Sequence, residues 1–480
     1  MPQLQWAIVV GGYLLAIYVI VRVILQRKDP SASLAWMLGV LLLPYLGVVA
    51  YMLFGRHRLK RQVKRRRARA EAIEPHLAKL SEGIEELTPF EAPAHLTKPQ
   101  EWEMVRLTDR IGARPPTCGN KVQLFINADS AYLSMERALK KAERQINFQF
   151  YIFETDDTGK RFRDLLCEKA REGVEVRVLT DGVGSFGVAD FMEPLLEAGG
   201  QFVEFLPVRI SRNLHRTNLR NHRKIVIIDG KIAFTGGINI GDEYTGRKKK
   251  VGPWRDTHLR LEGPTVYHLQ EVFAEDWHFA TGHDPVTDDW FPDQEAVGDA
   301  TVQIVASGPD TDTQPIHLIF FAAITGARKR VWLTTPYFVP DLAVRVALQS
   351  AALRGIDVRL LLPFHSDMRL VLHAGRSYYD ELLEAGVRIF EYSDGILHAK
   401  TMVVDDTWAT VGSSNMDIRS FSLNFEVNAA IYGPEFANEL GKVFLKDLQK
   451  AQEITQAELL GHSVWRKIVQ NLARMLSPLL

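Results

Sequence analysis

A histidine and a lysine two residues apart occur twice in this chain, each time followed by an aspartate. The first copy is His222, Lys224 and Asp229, with Gly236, Gly237 and Asn239 downstream. The second is His398, Lys400 and Asp405, with Gly412, Ser413 and Asn415 downstream. Each reads H-x-K-x4-D, then two small residues, then asparagine. In an extended segment residues i and i+2 share a face, so each histidine stands beside its lysine. That pairing suits a phosphate centre. An ammonium supplies charge to phosphoryl oxygens, and an imidazole supplies a nucleophile or proton carrier near neutral pH. One copy alone is weak evidence, because a His and a Lys two apart occur on any strand edge. Two copies, each running into an apolar strand, are hard to obtain by accident. No H-E-x-x-H, CxxC or Asp-rich loop offers a metal site, and no cofactor is expected.

The elements that position these residues read as alternating strands and helices. Strands are expected at 122–126, 146–153, 174–180 and 202–205, with helices at 131–143, 159–172 and 191–198. They lead to a hairpin, 224–229 with 231–235, around the favoured turn pair Asp229-Gly230. The second half repeats the order. Helices are expected at 316–327, 342–354 and 377–385, and strands at 331–335, 358–362 and 387–391. The hairpin 400–405 with 408–412 follows. The text repeats too: Leu195-Leu196-Glu197-Ala198-Gly199 matches Leu382-Leu383-Glu384-Ala385-Gly386. A repeat at this scale implies duplication and one active site shared across a pseudo-twofold axis. Asp229 and Asp405 read as serving the hairpin turns rather than the phosphate. Asn239 and Asn415 read as further donors to phosphoryl oxygens.

Charge is distributed unevenly. The chain has 480 residues and as many acids as Lys/Arg, 58 of each. Yet residues 1–70 hold twelve Lys/Arg and a single acid, Asp29. The catalytic body is therefore acidic, which argues against nucleic acid as partner and points the basic block at an anionic membrane surface. Two uncharged runs, 1–21 and 34–54, are each close to the ~20 residues that cross a bilayer core, so a transmembrane helical hairpin is expected over 1–55. Pro44 also allows the second run to re-enter rather than span. Nine Lys/Arg follow between 56 and 69, which makes that side cytoplasmic. Residues 56–115 form this basic segment and a Pro-containing linker. Two cysteines, Cys118 and Cys167, make no disulfide framework and fit a reducing compartment. Near the end, Val464, Trp465, Ile468, Val469, Leu472 and Leu476 recur at helical spacing, either packed on the core or docked on a membrane.

The duplicated motif resembles the phospholipase D superfamily, and the surrounding text resembles its bacterial cardiolipin synthases. The segments that carry this are Leu219-Arg220-Asn221-His222-Arg223-Lys224, Pro253-Trp254-Arg255-Asp256-Thr257-His258, Thr335-Pro336-Tyr337-Phe338-Val339-Pro340-Asp341 and Asp417-Ile418-Arg419-Ser420 with Asn424-Phe425-Glu426. The similarity covers essentially the whole chain. It implies an α/β fold of two phospholipase D-like repeats, 116–300 and 301–480, with mixed sheets flanked by helices. It implies a catalytic set of His222, Lys224, Asp229, His398, Lys400 and Asp405. In such a set one histidine attacks phosphorus to form a phosphohistidine and the other handles the proton. The resemblance favours His222 as nucleophile and His398 as acid/base; the symmetry of the motifs leaves the choice open. In relatives the acids that orient the histidines reach across the twofold, which implies His222–Glu426 and His398–Asp256 pairs. The implied reaction joins two phosphatidylglycerols into cardiolipin plus glycerol at the cytoplasmic face of a bacterial inner membrane. A hydrolytic phospholipase D or another phosphatidyltransferase is the alternative, and a homo-oligomer stays open.

Overall fold

The computed structural model describes residues 2–25, 30–51, 59–85, 99–111, 113–207, 219–248, 252–287, 290–311 and 313–477. Part of the basic run (Arg56 and Arg58) and the linker prolines Pro89 and Pro93 lie outside the described residues. The chain divides into two compact units, one of residues 1–65 with 213–216, the other comprising the rest.

The small unit holds the helices Pro2–Ile24, Pro30–Leu42 and Pro44–Ala50. Ala16, Val19, Val23, Val40, Val48 and Tyr51 pack together inside it. Leu14, Ile17, Leu38, Leu42, Leu46 and Val49 are exposed. Among the described residues no helix is long and apolar enough to cross a membrane. The transmembrane hairpin expected over 1–55 is not supported among the described residues. The second apolar run is divided before Pro44 into helices of 13 and 7 residues, each well short of the ~20 residues a span requires.

Among the described residues the large unit is built on one mixed sheet of 16 strands, fifteen in one order and the short Arg220–Asn221 off it, beside Asn424–Tyr432. At its centre Thr117–Phe125 pairs antiparallel with Ala300–Ser307. Outward on one side run His258–Glu262, Ile232–Gly236, Ile225–Ile228, Gln145–Phe150, Glu175–Asp181 and Gln201–Phe205. On the other side run Asn424–Tyr432, Trp408–Gly412, Thr401–Val404, Arg330–Thr334, Asp357–Pro363, Arg388–Tyr392 and, as an addition, Ala451–Ile454. The two lists match strand for strand, so the central pair lies at the pseudo-twofold.

Alternation of side chains makes the sheet a three-layer core. Val226 and Ile228 pack under the helices Ala128–Leu139 and Asp157–Arg171. Ile225 and Ile227 face the opposite way, toward Thr265–Thr281. Short polar side chains start the helices: Asn127 accepts from Ser130 N at 3.0 Å, and Asp341 from Val344 N at 3.0 Å. Several elements go beyond the sequence reading. Thr265–Thr281 and Pro434–Leu448 cover one face, and the first strand begins at Thr117, directly after Pro115-Pro116. The expected helix 191–198 is two short pieces, Val188–Phe191 and Glu193–Glu197, broken before Pro194. The amphipathic tail forms the helix Val464–Met475, which packs on Arg369–Arg376. Gln470 and Ala473 are buried, while Val464, Trp465, Ile468 and Leu472 stay exposed. The apolar stripe therefore faces outward instead of joining the core.

The basic run also behaves differently from a solvated face. From Arg66 onward the helix Leu59–Glu85 belongs to the large unit. Arg66 is only 3% exposed; it donates to Asp276 and to Asp310, both at 2.6 Å. Its guanidinium lies 4.2 Å from the Phe425 ring centroid. Removing one partner of a buried pair leaves charge uncompensated, so Arg66→Ala is expected to cost about 3 kcal/mol or more of stability. The exposed Arg65→Ala should leave the denaturation midpoint nearly unchanged. Equilibrium denaturation of the two variants checks this.

Candidate active site

Each motif begins where its chain crosses to the other half of the sheet. Arg220–Asn221 pairs in parallel with Asn424-Phe425, and His222 N donates to Phe425 O at 2.9 Å. Symmetrically, Ile396–Leu397 pairs in parallel with Trp254–Arg255, and His398 N donates to Arg255 O at 2.7 Å. The residue that follows each pinning strand position is an acid, Glu426 or Asp256. Hence His222 Nδ1 lies 2.9 Å from Glu426 Oε2, and His398 Nδ1 lies 2.6 Å from Asp256 Oδ2. Both acids come from the half opposite their histidine. An ionised carboxylate only accepts, so each Nδ1 carries the proton and each Nε2 keeps its lone pair.

The acids are held in turn. Glu426 accepts from Ser413 Oγ at 2.5 Å and from Asn424 Nδ2 at 3.0 Å. Asp256 accepts from Thr257 N at 2.7 Å. Here the small residues of the motif find their reason. A Cβ on Gly237 would stand 2.1 Å from Asp256 Oδ1, so only glycine admits the carboxylate. The equivalent Ser413 contributes its hydroxyl instead.

Both histidines, with Asn239 and Asn415, line one cavity of about 420 Å³. Tyr151 stands edge-on to His222 at 4.9 Å between ring centroids, and Trp254 lies 5.2 Å from His398. Lys224 Nζ donates to His222 O at 2.6 Å and Lys400 Nζ to His398 O at 2.5 Å. Asn239 Nδ2 donates to Tyr244 Oη at 3.3 Å, whereas the buried Asn415 Oδ1 has no hydrogen-bond partner.

Burial dominates the electrostatics. It holds His222 down to about 4, with Lys224 adding to the effect and Glu426 opposing it. It lowers His398 as well, reinforced by Lys400 against Asp256. Lys224 is brought down to about 7 and Lys400 to about 8, again chiefly by burial. Glu426 and Asp256 stay below the usual carboxylate range. Burial works against this, but His222 for the one and Lys400 with His398 for the other outweigh it. The resting site thus holds neutral imidazoles, ionised acids and lysines near their titration points.

Asp229 and Asp405, expected within the catalytic set, do not line the cavity. Asp229 has a positive φ of 53° and Asp405 of 54°, each at its hairpin turn. Asp229 accepts from the backbone N–H groups of Glu143, Arg144 and Gln145 at 2.8–3.0 Å. Asp405 does the same for Arg328, Lys329 and Arg330 at 2.7–3.1 Å. Each ties its hairpin to the start of the neighbouring antiparallel strand, Gln145–Phe150 or Arg330–Thr334.

Other residues at the site are not singled out by the sequence, although Arg220, Tyr337, Asp417 and Arg419 lie in the segments that carry the resemblance. Asp276 accepts from Asn221 Nδ2 at 3.0 Å and Arg223 Nη1 at 2.8 Å, so it grips both neighbours of His222. Tyr337 Oη donates to Asp367 at 2.7 Å at the cavity wall. Arg220, Asp417 and Arg419 line the same cavity. Among the described residues no cluster of His, Cys, Asp and Glu is arranged to hold a metal ion. Cys118 and Cys167 are free.

Comparison with known proteins agrees with this picture. A model of the cardiolipin synthase phospholipase D-like domain matches residues 135–277 and 320–448. A model of the phospholipase D-nuclease N-terminal region matches residues 14–56. The chain is 40% identical over 467 residues to a cardiolipin synthase of Geobacillus kaustophilus (97% of this chain, 92% of the relative). It is 39% identical over 469 residues to one of Alkalihalophilus pseudofirmus (97% and 92%). The fold is similar to that of the phosphatidylserine synthase of Haemophilus influenzae, with a TM-score of 0.59 at 13% identity, covering 78% of this chain and 98% of that one. At that identity the likeness concerns the fold alone. With both halves matched and relatives of 40% identity spanning nearly its full length, this chain belongs to the phospholipase D-like cardiolipin synthase family.

Proposed function

We propose that the protein is a phosphatidyltransferase that converts two phosphatidylglycerols into cardiolipin and glycerol. The observation that carries this reading is the pair of crossed histidine–acid contacts around one cavity. His222 is the nucleophile. Its Nδ1 proton is held by Glu426, so Nε2 attacks the donor's phosphorus and the P–O bond to glycerol breaks. His398 protonates the departing glycerol oxygen. In the second step His398 takes the proton of the acceptor hydroxyl, whose oxygen displaces the imidazole from phosphorus. Lys224 and Lys400 balance the phosphoryl charge, with Asn239 and Asn415 at its edge. His398 enters neutral and takes up a proton from solvent as the anionic diester binds beside it, so that the imidazolium is in place to protonate the leaving oxygen.

The anchor sits over 1–55, a basic segment and linker over 56–115, and the two catalytic repeats over 116–300 and 301–480. The exposed leucines and valines of the small unit fit lipid rather than water. The basic residues after it favour the cytoplasmic face of the inner membrane. The outward stripe of the tail helix, Val464, Trp465, Ile468 and Leu472, with Arg466 and Lys467 beside it, fits the same anionic lipid surface. Holding lipid hydroxyls at high local concentration favours transfer over hydrolysis.

Purified protein given phosphatidylglycerol alone is expected to yield cardiolipin and glycerol in equal amounts. His222→Ala and His398→Ala should each lower the rate by about 10³-fold or more. Phosphatidic acid as the main product would instead identify a hydrolase.

The pH profile has a defined sign. His222 must be neutral to attack, so on the acid side kcat/KM should fall only as pH drops through about 4. His398 must be protonated to serve as the acid, and burial holds it below the ordinary imidazole range in the free enzyme. On the alkaline side kcat/KM should therefore already fall as pH rises from there, and loss of the Lys224 charge through about 7 steepens the fall. A bound diester stabilises the ammonium, so the alkaline limb of kcat should lie at higher pH than that of kcat/KM.

For the tail helix, Trp465→Glu combined with Leu472→Glu is expected to raise the apparent KM for lipid in mixed micelles by about tenfold. Surface-dilution kinetics would show it.

A further inference from the structure

Cardiolipin carries two phosphates joined through one glycerol. If the synthase reading above holds, the cavity must accommodate a second phosphate close to the one under attack. The two His–Lys pairs serve the first. Among the described residues lining the cavity, two further side chains carry a permanent positive charge, Arg220 and Arg419. Arg220 is 6% exposed and Arg419 is half-buried. They are near enough to act on each other. Burial lowers the Arg220 guanidinium and Arg419 adds to that, against Asp181 and Tyr151. Both also act on the Tyr151 phenol, whose ring stands at His222.

These arginines break the symmetry that the catalytic groups obey. Two residues before the motif histidine stands Arg220 in the first copy and Ile396 in the second. Four residues after the motif asparagine stands Glu243 in the first copy and Arg419 in the second. Glu243 also lines the cavity. A fully duplicated site would treat its two lipid substrates alike. One wall bearing cations that have no twofold counterpart gives the substrates different places.

We infer that Arg220 and Arg419 form a second anion subsite, which holds the phosphate of the acceptor phosphatidylglycerol while its terminal glycerol hydroxyl meets the phosphohistidine. The hydroxyl oxygen forms the new P–O bond and the P–N bond to His222 breaks. Its electron pair returns to the imidazole, and the hydroxyl proton passes to His398. Guanidinium groups suit the task, because they stay charged and bind phosphate oxygens through paired N–H donors. Water gains nothing from them, so the subsite favours transfer over hydrolysis at the same intermediate.

The test offers the full-length protein, in phosphatidylglycerol micelles, two soluble acceptors. Labelled glycerol gives back labelled phosphatidylglycerol; glycerol 3-phosphate gives phosphatidylglycerol phosphate. The wild type is expected to show a KM for glycerol 3-phosphate at least about tenfold below that for glycerol. Arg419→Gln should remove most of that preference, and Arg419→Lys should restore part of it. The ratio between acceptors is read, so a general loss of activity cancels. Equal KM values in the wild type overturn the assignment, as does a proportional loss on both acceptors in Arg419→Gln. The wild-type comparison stands even where the variant fails to fold. Absence of cardiolipin from phosphatidylglycerol alone would strike the synthase reading itself, separately from any acceptor preference.

Discussion

A buried imidazole needs an acceptor for its Nδ1 proton, and each half of this chain obtains that acceptor from the other. The exchange requires the chain to cross twice. It does so through two short parallel pairings, Arg220–Asn221 on Asn424-Phe425 and Ile396–Leu397 on Trp254–Arg255. Those pairings place the acid one residue beyond the pinned position, within reach of the neighbouring histidine. The central antiparallel pair Thr117–Phe125 and Ala300–Ser307 then fixes the distance between halves. A half on its own would hold a histidine with no carboxylate and a buried carboxylate with no partner. Both conditions are costly in a low-dielectric interior, so the fold and the site are secured together.

The same burial sets the electrical state of the empty cavity. Lys224 and Lys400 lie near their titration points because desolvation works against their charge more strongly than Glu426 and Asp256 work for it. His222 stays neutral for the same reason. A phosphodiester entering this space supplies the missing anion. Its arrival stabilises both ammonium groups and the protonated form of His398, and leaves the His222 lone pair available. Behind His222 the support is ionic too. Asp276 binds Asn221 and Arg223 on either side of it and accepts from Arg66 on the helix Leu59–Glu85.

What was legible in the sequence was what is local. The i, i+2 spacing of His and Lys, the Asp-Gly turn and the alternation of strands with helices all act within a few residues. The hairpins of residues 225–236 and 401–412 follow from them. The crossing of the acids is not written in spacing: Asp256 follows His222 by 34 residues and Glu426 follows His398 by 28, with no local rule joining them. Arg66 was hidden in another way. In the sequence it is one cation among nine in a basic run, and only the fold brings Asp276 and Asp310 to it. In the apolar run 34–54 the position of Pro44 marks the break, and the structure divides the run there into two helices. The two hairpin aspartates look catalytic by motif and are positional by geometry, since backbone N–H groups occupy their carboxylates.

Duplication accounts for the chemistry that two like steps share, and its imperfections account for how the steps differ. In the proposed two-step course, forming and breaking the phosphohistidine is the same displacement run in opposite directions, so one set of paired groups would serve both. The donor and acceptor lipids are chemically identical, and a twofold site has no means of ranking them. Where the halves diverge, at Gly237 against Ser413 and at Glu243 against Arg419, the two sides of the cavity acquire different shape and charge. Gly237 lets Asp256 approach closely while Ser413 adds a donor to Glu426, so the two histidines sit against unequal acids. The two histidines therefore differ in their surroundings although the motifs that carry them are alike.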